Sequence, residues 1–100
     1  MLKFIILIPS FNEEKSLIKI VKKTRDFKVQ IIDDCSNDNT FKILKNFKSI
    51  MIHRNKQNIG YEQSLKKGFD LIRNSNFDYI ITMDADGEHS TKNLQKIVKF

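Results

Sequence analysis

The 100-residue chain predicts an α/β fold, an open parallel sheet with helices on its faces. Short apolar or β-branched runs alternate with stretches of helical period, in the rhythm β-α-β-α-β-α-β-α. The first run is near-continuously apolar rather than alternating, which is the pattern of a strand buried on both faces of a parallel sheet. Each run ends in a cluster of polar residues, and a parallel sheet gathers such ends along one edge.

Lys3 to Pro9 is the first strand, and it stops at the polar loop Ser10-Phe11-Asn12-Glu13-Glu14. The helix that follows carries Leu17, Ile20, Val21 and Thr24 on one face and lysines on the other. Val29 to Ile32 is a second strand ending in Asp33-Asp34, and Cys35 to Asn39 is a turn rich in cap-forming residues. Phe41, Leu44 and Phe47 recur at helical spacing after it. Ser49 to His53 is a third strand and Arg54 to Asn58 a polar loop. Gly60 to Arg73 is a helix with Leu65, Phe69 and Ile72 on its apolar face, broken by Asn74-Ser75-Asn76. The fourth strand is Tyr79 to Met83, and Ser90 or Thr91 caps a last helix bearing Leu94, Ile97 and Val98. There is no internal repeat, low-complexity tract or proline-rich linker.

This length allows one domain or part of one, and 40% apolar with 30% charged residues is ordinary for a globular chain. The net charge of +6 comes from lysines scattered along the helices, with arginine only at Arg25, Arg54 and Arg73. That pattern describes a solvated surface rather than a nucleic-acid interface, while leaving room for attraction to phosphorylated ligands or anionic lipid. Cys35 is the single cysteine, which excludes an intrachain disulfide framework and a cysteine-rich zinc site. No apolar run approaches membrane-spanning length, and the longest, Phe4 to Ile8, runs into Pro9. The address these features imply is the cytoplasm.

Chemistry concentrates in four polar clusters: Ser10 to Glu14, Asp33 to Asn39, Arg54 to Asn58, and Asp84 to His89. In Asp84-Ala85-Asp86, two carboxylates one residue apart at a strand end offer hard oxygens to Mg²⁺ or Mn²⁺ alongside a substrate's phosphates. The plain alternative is a surface Asp-Gly turn, and the convergence of four such loops favours a site. Asp33-Asp34 can accept from a base N–H or ribose hydroxyls, or can simply favour the dipole of the next helix. Asn12 and Glu13 can contact a ligand or open the helix that follows them. Gly60, Ser64 and Gly68 form a small-residue stripe that close helix–sheet packing explains, Gly60 at the helix start being the exception. Arg54 is a phosphate contact or a solvated strand end, His53 is structural, and His89 stands beside the paired carboxylates. An EF-hand fails because Gly87 is fourth rather than sixth from Asp84, and no Walker or Gly-x-Gly-x-x-Gly loop is present. A phosphohydrolase with an Asp-x-Asp nucleophile would want Thr or Val where Glu88 stands.

These residues together resemble the inverting family 2 glycosyltransferases of the GT-A fold. Pro9-Ser10-Phe11-Asn12-Glu13 is similar to the family's Pro-x-aromatic-Asn-Glu signature, and Asp33-Asp34-Cys35-Ser36-Asn37-Asp38-Asn39-Thr40 to its Asp-Asp-Gly-Ser-x-Asp-x-Thr segment. Asn58-x-Gly60 with Ser64 and Gly68 resembles the Asn-x-Gly helix start, and Asp84-Ala85-Asp86-Gly87-Glu88-His89 the metal-binding Asp-x-Asp. Cys35 replaces a commoner Gly, Glu88 a commoner Gln, and Ser90-Thr91 commoner prolines. The resemblance implies a Rossmann-like nucleotide-diphospho-sugar transferase sheet, with residues 1–100 as its N-terminal nucleotide-sugar-binding part and the acceptor-binding half absent. It implies transfer of a sugar from a UDP- or GDP-sugar to an acceptor, with inversion and metal assistance. The closest branch transfers sugars to polyprenyl or dolichyl phosphates, so the acceptor is a polyprenyl phosphate or a glycan, met at the inner face of a membrane.

Under that resemblance Pro9, Phe11, Asn12, Glu13, Asn58, Gly60 and Ala85 contribute to the nucleotide-sugar pocket, and Asp34 hydrogen-bonds the base. Asp84 lies near ribose and metal, and Asp86 helps hold Mg²⁺ or Mn²⁺ on the diphosphate. No catalytic residue is expected in this half, because the general base would lie beyond Phe100; alone, these residues would bind donor weakly and turn over little or nothing. The competing reading is a non-catalytic nucleotide-binding fragment or degenerate subunit of such an enzyme.

Overall fold

Among the described residues the predicted alternation is present as β1 (Phe4–Ser10), α1 (Glu14–Lys23), β2 (Lys28–Asp33), α2 (Thr40–Leu44), β3 (Ile50–Arg54), α3 (Tyr61–Ile72) and β4 (Tyr79–Thr82), followed by β5 (Lys96–Lys99). The structure, a computed structural model, describes residues 2–85 and the backbone of 96–99. The strands form one sheet in the order β3-β2-β1-β4-β5. β1 to β4 are mutually parallel, with Ile5 level with Lys28 on one side and Ile80 on the other. Successive strands step outward from β1 to β3, and β4 then returns to the opposite side of β1. The carboxyl ends of β1 and β4 therefore flank the point where strand order reverses, which is where open α/β sheets bind ligands.

Side chains alternate across the sheet, and each face has its own core. Ile6, Ile8, Val29 and Ile31 pack with Leu17, Ile20 and Val21 of α1 and Leu44 of α2. Ile5, Leu7, Ile32 and Ile80 pack on the other face with Ile72 of α3, flanked by Leu65, Phe69 and Phe77. Both faces are covered, as a parallel sheet requires. The four residues foreseen on the buried face of α1 lie there, and Thr24 also ends the helix, its hydroxyl donating to the Ile20 carbonyl at 2.9 Å. Lys22 and Lys23 in the last turn complement the helix dipole. No helix among the described residues is long and apolar enough to cross a membrane.

Two expectations change. α2 stops at Leu44, because the amides of Asn46 and Phe47 donate to Ile43 and Leu44 at 3.2 and 3.0 Å and tighten the end of the helix. Phe47 thus lies beyond the helix, though it still packs on the same core. The last helix expected through Ile97 and Val98 is instead strand there: β5 runs antiparallel to β4, with Ile81 level with Ile97 and Ile80 with Val98. The β-branched pair Ile97-Val98 suits a strand, and β5 supplies backbone partners to what would otherwise be an open edge of β4. Leu94, Ser90 and Thr91 fall outside the described residues.

The small-residue stripe on α3 is explained by packing. A Cβ at Gly68 would stand 2.3 Å from Leu7 Cδ1 and 3.0 Å from its Cγ, and Leu7 is wholly buried. Gly68→Ala should therefore destabilise the fold, since overpacking costs about 1–3 kcal/mol against a helix-propensity gain of about 1 kcal/mol. A denaturant midpoint equal to or above that of the wild type would contradict the close approach.

Candidate functional site

Asp34, the residue after β2, carries the local architecture. It is 4% exposed, and its carboxylate accepts three hydrogen bonds from the segment before α3 and the helix start. Asn55 Nδ2 and the Ile59 amide reach Oδ1 at 2.9 and 2.8 Å, and the Gly60 amide reaches Oδ2 at 2.9 Å. The negative charge thus sits at the N-terminus of α3, where the helix dipole favours it. The sequence reading allowed for an acidic cluster favouring a helix dipole, and the helix is α3 rather than the next one along the chain. Gly60 has φ +90°, a left-handed conformation suited to glycine, which lets its amide turn toward the carboxylate. Asn55 also donates to the buried Ser64 hydroxyl at 3.1 Å, and Asn58 to the Asp34 carbonyl at 3.4 Å.

Asp33 faces the opposite side of the sheet and is fully buried. Its Oδ1 accepts from the Ser36 hydroxyl and from the Ser36 amide at 3.3 Å. Arg54 Nε stands 3.6 Å from Oδ2, an ion pair beyond hydrogen-bonding distance. Arg54 also donates to the Ser36 carbonyl at 3.1 Å and lies over the Phe41 ring at 5.1 Å. It is therefore a brace for the Cys35–Asn39 turn, where the sequence offered a phosphate contact or a solvated end.

The Ser10–Glu14 loop is tied to that turn. The Asn12 amide donates to Ser36 Oγ at 2.9 Å, and Asn12 Oδ1 accepts from the Asn37 amide at 2.7 Å. Asn12 has φ 53°, a left-handed conformation that asparagine tolerates better than most side chains. Its side chain braces two loops and lines neither cavity described below. Cys35, at φ 61°, occupies the same region without asparagine's tolerance, and its thiol reaches the Lys56 carbonyl at 3.7 Å. Asp38 accepts from the Thr40 hydroxyl, from the Thr40 amide at 2.9 Å and from the Glu14 amide at 3.4 Å. Partial burial pushes the Asp38 carboxyl up, but these hydrogen bonds outweigh it and hold the group below its ordinary 3.8.

Two adjoining cavities open at the carboxyl ends of the strands. One, of about 360 Å³, is lined by Pro9, Ser10, Phe11, Asp34, Asn58, Gly60, Tyr61 and Ser64. The other, of about 340 Å³, is lined by Pro9, Phe11, Glu13, Tyr61, Asp84 and Ala85. The first is mostly apolar with Asp34 in its wall, and the second carries carboxylates. Glu13 and Asp84 there are hard oxygen donors of the kind Mg²⁺ takes alongside phosphate; among the described residues no group of three potential ligands surrounds a metal position. Asp86 and His89 lie outside the described residues. Pro9, Phe11, Glu13, Asp34, Asn58, Gly60, Asp84 and Ala85 are thus brought together, and Asn12 is not.

Tyr61, absent from the sequence-based candidates, lines both cavities, and its hydroxyl donates to Asp84 Oδ1 at 3.1 Å. Burial, then the charge and hydrogen bonding of Asp84, push the Tyr61 phenol above its usual 10.0. The available signal was its place directly after the glycine that opens α3.

Two consequences are measurable. Asp34→Ala leaves the Ile59 and Gly60 amides without their acceptor and should cost about 2–4 kcal/mol, read as a lowered denaturant midpoint. Asp38 stabilises the fold once ionised, so its contribution is present above pH 3.8 and is lost as pH falls through its lower folded value. The stability gap between wild type and Asp38→Asn should accordingly close on acidification; a gap that persists or widens would contradict the hydrogen bonding described.

Comparison with known proteins gives this geometry a family. Residues 5–100 match the pattern described as glycosyl transferase family 2. Two uncharacterized proteins of Methanocaldococcus jannaschii are each 34% identical to the chain; the alignments cover 95% and 94% of it and 45% and 40% of those proteins. The UDP-N-acetylglucosamine–dolichyl-phosphate N-acetylglucosaminyltransferase of Methanococcus voltae is 29% identical over 94% of the chain and 45% of its own length. The chain thus spans less than half the length of these relatives. In structure it is similar to S. aureus TarS 1-349 (TM-score 0.65, 22% identity, 85% of this chain and 28% of that one). It is also similar to 4-diphosphocytidyl-2C-methyl-D-erythritol synthase (TM-score 0.64, 14% identity, 85% and 47%). At those identities the likeness shows the fold alone, an open α/β sheet with helices on both faces. With the family pattern matched over nearly its whole length, the chain belongs to glycosyl transferase family 2.

Proposed function

We propose that this domain binds a nucleoside diphosphate sugar across the two adjoining cavities and serves transfer of the sugar to a polyprenyl phosphate. The observation that carries the reading is the placement of Asp34 and Asp84 in the walls of neighbouring cavities that share Pro9 and Phe11 at the strand-order reversal. The apolar cavity suits the base. Asp34 already accepts three hydrogen bonds, and a carboxylate with about four lone-pair sites has one left for a base N–H. The second cavity suits the ribose and diphosphate, with Asp84 accepting from a ribose hydroxyl.

Asp84 and Asp86 are the residues that would hold Mg²⁺ or Mn²⁺, with Glu13 lining the same cavity. A divalent cation there supplies charge neutralisation to the departing nucleoside diphosphate. The chain's own part is to orient the donor: β1 and β4 fix the cavity walls, and Phe11 keeps water from one side of the base. An acceptor phosphate oxygen attacking opposite the leaving group gives inversion at the anomeric carbon. A polyprenyl phosphate is favoured by the name of the Methanococcus voltae relative, which acts on dolichyl phosphate. Such an acceptor would be met at a membrane surface, where the net charge of +6 favours approach to anionic lipid.

Calorimetric titration of the chain with UDP and with GDP, each with Mn²⁺ and with EDTA, tests the reading. Metal-strengthened binding of one nucleotide is expected, with the metal-dependent part lost in Asp86→Ala. A folded chain that takes up neither nucleotide would overturn it.

A further inference from the structure

Phe11 and Tyr61 are 42% and 52% exposed, and both line both cavities. They enter from different elements, Phe11 from the loop after β1 and Tyr61 from the first position of α3. Neither is loosely mounted. The Phe11 backbone is held beside Asn12, whose amide and side chain are both tied to the Ser36–Asn37 turn. The Tyr61 backbone follows Gly60, whose amide donates to Asp34 and whose carbonyl accepts from Ser64 at 3.0 Å. Exposed aromatic surface on a fixed backbone at the mouth of a cavity offers a flat apolar face to a ligand at low entropic cost. The Tyr61 hydroxyl has a second task, because it donates to Asp84, 23 residues away in the chain and part of the lining of the second cavity.

We infer that Tyr61 is a further donor-binding residue: its ring, with Phe11, forms the shared wall against which the planar base and ribose pack, and its hydroxyl positions the Asp84 carboxylate in the neighbouring cavity. The inference rests on the donor-site reading above and adds a residue and a division of labour to it. The ring acts on the nucleoside by contact. The hydroxyl acts through Asp84 and is therefore a positioning group for whatever the diphosphate side of the site binds. The same tyrosine thus couples occupancy of the apolar cavity to the geometry of the polar one.

Tyr61→Ala and Tyr61→Phe separate the two roles in the full chain, read by calorimetry with UDP and GDP in Mn²⁺ and in EDTA. Tyr61 is half exposed, so both variants should keep the wild-type melting midpoint. Tyr61→Ala should weaken nucleotide binding at least about fivefold, with or without metal, as loss of a base–aromatic contact does. Tyr61→Phe should keep the affinity in EDTA and lose part of the gain on adding Mn²⁺. If the wild type binds a nucleotide and Tyr61→Ala matches it in both conditions, the inference is overturned while the donor-site reading stands. A Tyr61→Phe variant with the full Mn²⁺ gain overturns the positioning role. A folded wild-type chain that binds neither nucleotide overturns both the inference and the reading beneath it.

Discussion

Three hydrogen-bond donors converge on the buried carboxylate of Asp34, and through them the end of β2, the segment before α3 and the first turn of that helix become one unit. A buried carboxylate is costly unless its oxygens are satisfied, and orphan amides at a helix start are costly for the same reason. Here each solves the other's problem. Both cavities depend on the result: Gly60 and Tyr61 stand where they do because α3 begins at the Asp34 carboxylate, and α3 in turn lies against β1 and β2. Gly68 permits that approach by leaving room for Leu7.

A second constraint acts on the other side of the sheet. Asp33, Ser36, Arg54 and Asn12 form a chain of contacts joining the turn after β2 to the loop after β1. None of these side chains needs to touch a ligand for the site to depend on it. The consecutive carboxylates Asp33 and Asp34 thus have separate duties, decided by the alternation of a strand. One braces the loop that carries Phe11 and Glu13, and the other anchors the helix that carries Tyr61.

Much of the fold was legible because it follows from local pattern. The spacing of Leu17, Ile20, Val21 and Thr24 specified the buried face of α1, and the rhythm of apolar runs specified a parallel sheet. The β5 segment was misread because Leu94, Ile97 and Val98 also fit a helical period. The edge of β4, which local sequence cannot reveal, favoured pairing for Ile97 and Val98. Phe47 fell outside its helix for a similar reason, the chain closing into tight turns after Leu44.

What the sequence by itself determined is the placement of polar loops after each of the first four strands, carboxylate-bearing after β1, β2 and β4, and hence a candidate site at one edge of the sheet. That follows from strand polarity, which is a property of chain order. Tertiary structure alone decided which residues face the cavities. Asn12 braces a loop because its left-handed backbone brings its side chain to the Asn37 amide. Asp34 became an anchor because α3 delivers two amides to it, and Tyr61 joined the site because the same anchoring sets its ring between the cavities and its hydroxyl against Asp84. These contacts join residues some two dozen positions apart, so no local pattern encodes them; they exist only once the crossovers through α1, α2 and α3 bring the ends of β1, β2, β3 and β4 to one edge.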